Sequence, residues 1–346
     1  MGEDKGPKGS GADSAPATNQ ISAPTISLPK GGGAIRGIGE KFAANPVTGT
    51  SSMSVPIATS PGRSGFGPQL SLLYDSGAGN GPFGLGWSLS LPAITRKTDK
   101  GLPRYHDVDE SDVFILSGAE DLVPVLNPDG TRYEDTTSVQ GYRIRRYRPR
   151  IEGLFARIER WTNAQGLSHW RSISKDNITT LYGSTDNSRV VDPAVATHIF
   201  SWLICESYDD KGNAIVYEYV GENDDNVDRG QANERNRERR ANRYLKRIKY
   251  GNRLSRLIQP DLNQLSWLFE VVFDYGDHDL DVPLRDEPGK QWPVRQDPFS
   301  FYRAGFEVRT YRLCRRALMF HHFSELGVTP CLVRSTDFHH EQGPVA

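Results

Sequence analysis

Residues 199–220 read IFSWLICESY-DDKGN-AIVYEYV, two apolar-rich segments on either side of a polar turn. In the second segment Ile215, Tyr217 and Tyr219 occupy every other position, and a period of two places them on one face of a β-strand. The segment between the strands contains Asp, Gly and Asn, which tolerate the backbone angles of tight turns. This stretch therefore predicts a β-hairpin, with strands at residues 199–208 and 214–220.

The same alternation recurs along the chain, in roughly a dozen runs without a fixed sequence period. The segment Asp75–Gly81 is a dense turn signal between two of these runs, which predicts another hairpin. A third turn is expected at Asn127–Gly130. The clearest apolar alternations are Met53, Val55 and Ile57; Leu70, Leu72 and Tyr74; Trp87, Leu89 and Leu91; Trp267, Phe269, Val271, Phe273 and Tyr275; and Phe306 and Val308.

The composition agrees with a strand-rich chain. Its 346 residues include 34 Gly, 22 Pro, 14 Phe, 14 Tyr and 6 Trp, and Gly and Pro disfavour helix interiors whereas aromatic residues suit a pleated surface. A net charge of −1 excludes a global electrostatic attraction to nucleic acid or anionic membranes. No apolar run approaches the about 20 residues of a membrane-spanning helix. We expect an all-β protein.

Residues 1–24 are rich in Gly, Ser, Ala and Pro, too polar to bury a core, so we expect a disordered tail followed by one domain over residues 25–346. The tail has no apolar segment of the kind found in signal peptides, so secretion would have to proceed without a conventional leader. The three cysteines, Cys205, Cys314 and Cys331, cannot form a disulfide framework and are expected to be reduced and buried.

Two sequence motifs resemble cofactor or metal sites, but neither has the structural context that such a site requires. Gly79–Gly84 matches G-x-G-x-x-G, but the next residues alternate like a strand, whereas the dinucleotide motif requires a helix there. His321-His322 and His339-His340 are adjacent pairs, and neighbouring strand residues point to opposite faces, so neither pair converges on one ion. We predict no cofactor and no metal.

Candidates for catalysis and for calcium or polyanion binding are similarly weak. His106–Asp112 is rich in carboxylates but lacks the glycine of a calcium loop, so we expect a solvated acidic loop. Neither G-x-S-x-G nor a cysteine in a polar setting is present, so no catalytic residue is predicted. The basic segment Arg229–Lys249 lacks interleaved aromatic residues for base stacking. It is expected to be a solvated or subunit-facing loop or short helix before a strand at Tyr244–Tyr250, without nucleic acid.

Several long strings resemble a known family. They are Leu28–Ile35 (LPKGGGAI), Tyr74–Trp87 (YDSGAGNGPFGLGW), Gly221–Asp228 (GENDDNVD), Arg243–Asn252 (RYLKRIKYGN) and the run from Arg295 to Phe323. These strings are similar to the SpvB-type N-terminal domain of the B components of Tc (toxin complex) insecticidal toxins, which also occurs in the SpvB virulence protein. The resemblance covers about residues 28–338, nearly all of the predicted domain.

This resemblance implies a structural role. SpvB-type domains form part of a hollow, Rhs-like β-shell that the B and C components build around a cytotoxic fragment, and Ser207–Asn213 is similar to the repeat unit of that shell. The expected partners are the C component, the remaining shell strands and, indirectly, the A channel. The implied localisation is synthesis in the bacterial cytoplasm followed by secretion, and contact with a membrane would be indirect, through the channel.

Two departures leave alternatives open. The chain ends at Ala346, so we expect it to be incomplete relative to B components, and to self-associate or to need partner strands. An ADP-ribosyltransferase of the arginine-specific class carries Glu-x-Glu, which is absent, so we predict no enzyme; the N-terminal domain of a truncated toxin of that class is one alternative. The other is a stand-alone carbohydrate- or protein-binding module using Trp161, Trp170 or Trp292.

Overall fold

The structure is a computed structural model that describes residues 41–44, 49–117, 121–327 and 330–341. The predicted disordered tail (residues 1–24) and the string Leu28–Ile35 lie outside these residues. Within them the chain is almost entirely β, with four 3₁₀ helices of three residues each at Arg63–Gly65, Asp186–Ser188, Leu262–Gln264 and Ser324–Leu326. None of the helices in this described part could cross a membrane, since none is long or apolar enough.

The described residues form 23 strands. In chain order they are β1 (Lys41–Ala44), β2 (Ser51–Ile57), β3 (Leu70–Asp75), β4 (Asn80–Gly81), β5 (Gly84–Leu85), β6 (Trp87–Leu89), β7 (Ala93–Arg96), β8 (Phe114–Leu116), β9 (Asp121–Pro124), β10 (Glu134–Asp135), β11 (Tyr142–Pro149), β12 (Arg157–Asn163), β13 (Ser168–Ile173), β14 (Thr179–Tyr182), β15 (Arg189–Val191), β16 (Ile199–Tyr208), β17 (Ala214–Gly221), β18 (Arg243–Asn252), β19 (Trp267–Asp274), β20 (Phe299–Phe301), β21 (Val308–Thr310), β22 (Arg316–His321) and β23 (Cys331–Asp337).

A large antiparallel sheet organises these strands. Its order is β14-β13-β12-β11-β9-β8-β7-β16-β17-β18-β19-β22-β23, with β10 on β11 and β15 on β16. Because β14 also pairs with β16, the eight strands from β14 to β16 in this order close into a ring. Strands β17, β18, β19, β22 and β23 extend from it as an open sheet. A smaller sheet, β1-β2-β3-β6, and the short pairs β4-β5 and β20-β21 complete the fold.

Strand β16 is the junction between the ring and the open sheet. Its first half pairs with β7 through Ser201–Leu203 and its second half with β14 and β17. The β16–β17 pairing covers only Glu206–Tyr208, so the two strands then diverge. Ten residues are needed to reach all of these neighbours, which explains why this strand is one of the two longest.

The turn between β16 and β17 is fixed by Asp209. Its side chain accepts hydrogen bonds from the backbone N–H groups of Lys211 and Asn213, at 3.0 and 2.9 Å, and from the Asn213 amide at 2.7 Å. Gly212 has φ +84°, a conformation that costs glycine little. The turn predicted from DDKGN is therefore present. Asp209 supplies its hydrogen bonds, and Gly212 supplies its positive φ angle.

The structure confirms the all-β prediction and most strand positions. Residues 199–208 form β16 as predicted, and the hairpin prediction for Gly79–Gly84 is confirmed because β4 and β5 pair there and lead directly into β6. The strand predicted around Phe306 is shifted: β21 begins at Val308, and Phe306 precedes it. Two residues of alternation are too few to place a strand boundary.

The main core fills the ring and one face of the open sheet. Trp170 and Trp202 are fully buried and meet edge to face, with ring centroids 5.9 Å apart, and Phe114 packs against both. On the open sheet Tyr244, Tyr275 and Trp292 form a similar aromatic group. Aromatic pairs in such arrangements stabilise a core beyond their buried area.

Gly183 offers a test of how tightly the ring is packed. It has φ +67°, and a Cβ atom there would lie 2.3 Å from Cδ1 of Trp202. Gly183→Ala is expected to lower the free energy of unfolding by about 2–3 kcal/mol, because backbone strain and a clash with a fixed ring add together. Gly130→Ala is the matched control, since Gly130 has φ +83° but nothing within 4 Å, and about 1 kcal/mol is expected. Equal losses in urea denaturation would contradict tight packing at Trp202.

Candidate functional site

A groove lies where β17 diverges from β16, and we call it the junction groove. It has a volume of about 800 Å³ and is lined by Cys205, Tyr219, Trp292 and a mixture of charges. Those charges are Asp186, Glu206, Glu218, Asp225, Asp277, Lys246, Arg247 and Lys290.

Ion pairs neutralise much of the charge in the junction groove. Lys246 lies 2.7 Å from Asp277, and Glu218 lies 2.7 Å from Lys249, outside the groove lining. Among the described residues, Ser184 Oγ contacts the Cys205 thiol at 3.0 Å and the thiol contacts the Leu181 carbonyl at 3.3 Å, and neither contact involves a general base. A nucleophile needs a general base within hydrogen-bond reach, so this arrangement does not form a nucleophile–base pair.

Lys246 and His278 form a buried polar cluster at one end of this groove. The Lys246 ammonium donates to the Phe273 carbonyl at 2.9 Å and lies 3.0 Å from Nε2 of His278. The other ring nitrogen, Nδ1, lies 2.8 Å from the Leu284 carbonyl, so Nδ1 carries the proton and Nε2 accepts from Lys246. Burial, followed by the Lys246 charge, lowers the pKa of His278, which fits a neutral imidazole that secures the loop after β19.

Inside the ring, carboxylates from residues 106–112 neutralise buried arginines. Arg96 donates to Asp107 and Asp112, each at 2.7 Å, and to the Ile199 carbonyl at 2.7 Å. Arg160 also contacts Asp107. Although burial acts to raise the pKa of Asp107, the two arginines hold it below its usual value. The prediction of a solvated acidic loop was therefore wrong for Asp107 and Asp112, which face arginines that β7 and β12 contribute from the ring, whereas His106 and Asp109 are exposed.

A second buried network joins the loop after β17 to the segment before β22. Glu222 and Arg312 are both fully buried at their side chains, with Arg312 Nε 2.8 Å from Glu222 Oε1. The same carboxylate receives the Tyr244 hydroxyl and the Tyr311 N–H. Burial outweighs these partners, so the pKa of Glu222 is raised. Glu222 and Asn223 belong to the GENDDNVD string, and both contact Arg312, so these two residues of the string have a structural role.

The basic segment Arg229–Lys249 is fixed by contacts within the chain. Arg237 pairs with Glu307 at 3.1 Å, and Arg239 contacts Glu234 at 3.5 Å and the Tyr311 hydroxyl at 3.1 Å. The strand that follows is β18 (Arg243–Asn252), slightly longer than predicted. The expectation of a solvated loop holds for the exposed residues 229–233, 235, 236 and 240, whereas Glu234 is buried.

The histidines of the first pair have different surroundings, whereas His339 and His340 follow β23 and lie outside a strand. His321 Nε2 lies 2.6 Å from Ser60 Oγ, whereas His322 Nε2 lies 3.0 Å from Glu270. His340 Nε2 contacts the Cys314 carbonyl at 2.9 Å. Over the described residues, no group of three or more His, Cys, Asp or Glu side chains is placed to hold a metal ion. All three cysteines are free thiols; Cys205 and Cys314 are buried as expected, but Cys331 is partly exposed, so the expectation of burial was wrong for it.

The three tryptophans considered for carbohydrate binding differ in exposure. Trp170 and Trp292 are buried, at 0% and 6% exposure, and belong to the core. Trp161 is partly exposed on the outer face of the ring, with its Nε1 3.0 Å from Glu159 and its ring beside Tyr142 and His169. Of the three, only Trp161 remains available to a ligand.

His169 makes the stability depend on pH. Burial, with smaller effects of Arg189 and Arg171, lowers its pKa from 6.5 to about 4. Between the two pKa values, His169 is protonated in the unfolded chain but neutral in the folded chain. The free energy of unfolding therefore falls as the pH decreases below 6.5. Between pH 7 and pH 5 this group accounts for up to about 2 kcal/mol. His169→Gln should flatten the wild-type pH profile of urea denaturation by that amount, and parallel profiles would contradict a neutral His169.

Comparison with known proteins gives this architecture a family. The profile of the family described as "Salmonella virulence plasmid 65kDa B protein", SpvB, matches residues 45–323. The chain belongs to the SpvB family. Mono(ADP-ribosyl)transferase SpvB of Salmonella choleraesuis is 40% identical over 334 residues, and the protein of the same name from Salmonella dublin is 40% identical over 333 residues. Each alignment covers 92% of this chain and 54% of the relative, so this SpvB-family chain spans about half the length of the curated relatives it matches.

Solved structures place the SpvB-family fold in two settings. The N-terminal domain of the effector protein SpvB from Salmonella typhimurium strain LT2 matches with a TM-score of 0.73 and 39% identity, over 84% of this chain and 95% of that one. The crystal structure of TcdB2-TccC3 matches with a TM-score of 0.75 and 35% identity, over 91% of this chain and 16% of that one. The Photorhabdus luminescens Tc holotoxin pore gives 0.74 and 35%, over 91% and 15%. The resemblance to SpvB and to the Tc toxin shell is thus confirmed.

Proposed function

We propose that this SpvB-family chain is a non-enzymatic structural module of a Tc-type toxin, which helps to enclose, secrete or translocate a cytotoxic partner fragment. The observation that carries the proposal is the match to TcdB2-TccC3 over 91% of this chain but 16% of that one. A domain that fits a small part of a much larger toxin chain is suited to act as one section of its wall. The ion pairs that neutralise charged side chains in the junction groove, such as Lys246 with Asp277, also favour a structural role.

The outer edge of β23 supports assembly with further strands. Among the described strands β23 pairs only with β22, and Val333, Arg334 and Ser335 are exposed. An unpaired edge presents free N–H and C=O groups that can pair with another strand. In the proposed function this edge is where the shell continues.

The proposal includes partners and location. Residues 25–346 act as one SpvB-type domain whose partners are the C component, the remaining shell strands and, through them, the A channel. The module is secreted with these partners and contacts a membrane only through the channel. The designation of its relative as an effector protein is consistent with export.

Enclosure is tested by proteolysis of the cytotoxic fragment. The chain is co-expressed with the remaining components of a cognate Tc toxin, and the purified mixture is treated with a protease under native conditions. We expect the fragment to be protected when this chain is present and to be degraded when it is omitted. Equal degradation in both samples would contradict enclosure.

A second candidate follows from the match over 95% of the SpvB N-terminal domain. In this alternative the chain is the N-terminal domain of an ADP-ribosyltransferase toxin and has no Tc partners. Both candidates predict background NAD turnover by the chain itself. They differ in the protease experiment, because an SpvB-type effector domain would leave the Tc fragment unprotected.

A further inference from the structure

The outer face of β11, β12 and β13 carries three aromatic rings in mutual contact. Trp161 lies 5.6 Å from Tyr142 and 5.8 Å from His169, measured between ring centroids, and Tyr142 lies 5.7 Å from His169. All three side chains are partly exposed. Trp161 alternates with Arg160, which contacts Trp170 of the main core, and this alternation places Trp161 on the opposite face of the sheet. The cluster therefore lies outside the main hydrophobic core.

Three arginines surround the aromatic cluster and outnumber the one carboxylate among them. Arg157 contacts Glu159, and Arg146 Nε lies 3.7 Å from the same carboxylate. The Arg171 guanidinium lies 5.9 Å from the Trp161 ring. The Nε atoms of Arg146 and Arg171 are buried without a hydrogen-bond partner. One carboxylate cannot neutralise three guanidinium groups, so this face keeps a positive charge beside an aromatic surface.

The behaviour of His169 points to the same positive potential. After burial, the causes that lower its pKa to about 4 are the charges of Arg189 and Arg171. Arg189 is held by Asp186 at 3.1 Å and by the Gly183 carbonyl at 2.8 Å, so it is fixed close to this face. A surface that repels a proton from an imidazole attracts an anion.

We propose that this aromatic–arginine patch, made of Tyr142, Arg146, Arg157, Trp161, His169 and Arg171, binds an acidic saccharide. The apolar face of a sugar ring stacks on Trp161, and its carboxylate or sulfate pairs with the guanidinium groups, whose planar donors match such anions. A nucleic acid fits less well, because these rings meet one another at an angle and form one platform rather than a series for successive bases. The site lies on the outer face of the ring, apart from the proposed shell edge at β23.

Binding is measured with the full chain by isothermal titration calorimetry and saturation-transfer NMR. The probes are 3′-sialyllactose and a sulfated heparin disaccharide, with lactose as the neutral control and a thymidine oligonucleotide as the nucleic-acid control. We expect at least one acidic saccharide to bind and lactose to show no binding. Arg157→Gln, at a side chain 53% exposed, should weaken binding about tenfold, the effect of one lost charge-assisted contact. Trp161→Leu should abolish the saturation transfer.

The matched control is Arg229→Gln, at an exposed arginine outside the patch, which should bind like the wild type. Thermal unfolding of each variant shows whether it is folded, and the exposed Arg157 keeps the test valid if Trp161→Leu unfolds. The proposal is overturned if neither acidic probe binds or if lactose binds equally. It is also overturned if the oligonucleotide binds more tightly, or if Arg157→Gln leaves the affinity unchanged.

Discussion

Replacing Arg312 with methionine is expected to lower the free energy of unfolding by about 3–5 kcal/mol, the usual effect of removing one partner of a buried ion pair. Arg312 is fully buried and donates to Glu222 at 2.8 Å, to the Trp292 carbonyl at 2.7 Å and to Asn223 Oδ1 at 2.6 Å. Methionine retains the apolar part of the side chain but leaves Glu222 without its cation, and it removes the donor to the backbone carbonyls of Asn223, Asp225, Trp292 and Pro293. Urea denaturation followed by circular dichroism measures the loss.

Two further variants separate the ion pair from a general effect of losing an arginine. Arg229→Met removes an exposed arginine and should change the stability by no more than about 0.5 kcal/mol. Glu222→Gln combined with Arg312→Met removes the uncompensated charge and should recover part of the loss. If Arg312→Met were as mild as Arg229→Met, the network around Glu222 would not hold this part of the fold together.

Trp202→Ala is the second large effect, with an expected loss of about 3–5 kcal/mol. Trp202 lies on the junction strand β16 with no exposed surface, packs against Phe114 and Trp170, and donates from Nε1 to the Ser168 carbonyl at 2.7 Å. Truncation would leave a cavity at the strand where the ring and the open sheet meet. The midpoint and slope of urea denaturation, followed by circular dichroism, report the change.

Trp267→Ala is the matched control, because Trp267 is partly exposed at the start of β19. A loss of about 1–2 kcal/mol is expected there, since less surface leaves water on folding. Trp202→Phe, which retains one ring but loses the hydrogen bond to Ser168, should fall between the two alanine variants. Equal losses for Trp202→Ala and Trp267→Ala would mean that the ring interior is not the main core.

Local pattern was sufficient to predict the strands of this fold. The alternation in Trp267–Tyr275 and the turn residues of DDKGN act over a few positions, and β19 and the β16–β17 hairpin lie where these signals predict them. The closure of the ring between β14 and β16 was not predictable in this way. It depends on the pairing of Thr179 in β14 with Tyr208 in β16, which a 3₁₀ helix and β15 separate along the chain. The periodicity within one strand does not specify which strand becomes its partner.

The ion-pair partners of the charged residues could not be predicted from the local sequence pattern. Asp107 belongs to an acidic run that looks like a solvated loop, but its partners Arg96 and Arg160 lie on β7 and β12. The aromatic–arginine patch has the same character, because Tyr142, Trp161 and His169 come from three strands and meet only in the sheet. Sites of this kind need the register of the strands before any residue can be assigned to them.

The most direct test of the shell proposal uses the open edge of β23. Arg334 and Ser335 are neighbours, so the N–H of one points toward β22 and the N–H of the other toward the open edge. A proline on the edge side removes a donor that only a partner strand would use, and it should leave thermal unfolding unchanged, whereas a proline on the β22 side should lower the unfolding temperature.

The measurement is size-exclusion chromatography with light scattering, on the wild-type chain alone and mixed with the cognate Tc C component and remaining shell strands. Arg334→Pro and Ser335→Pro are run in parallel. We predict a stable complex with the wild-type chain, and its loss in the proline variant that unfolds at the wild-type temperature. A wild-type chain that stays a monomer in the mixture, or an edge-side proline variant that still assembles, would contradict the account.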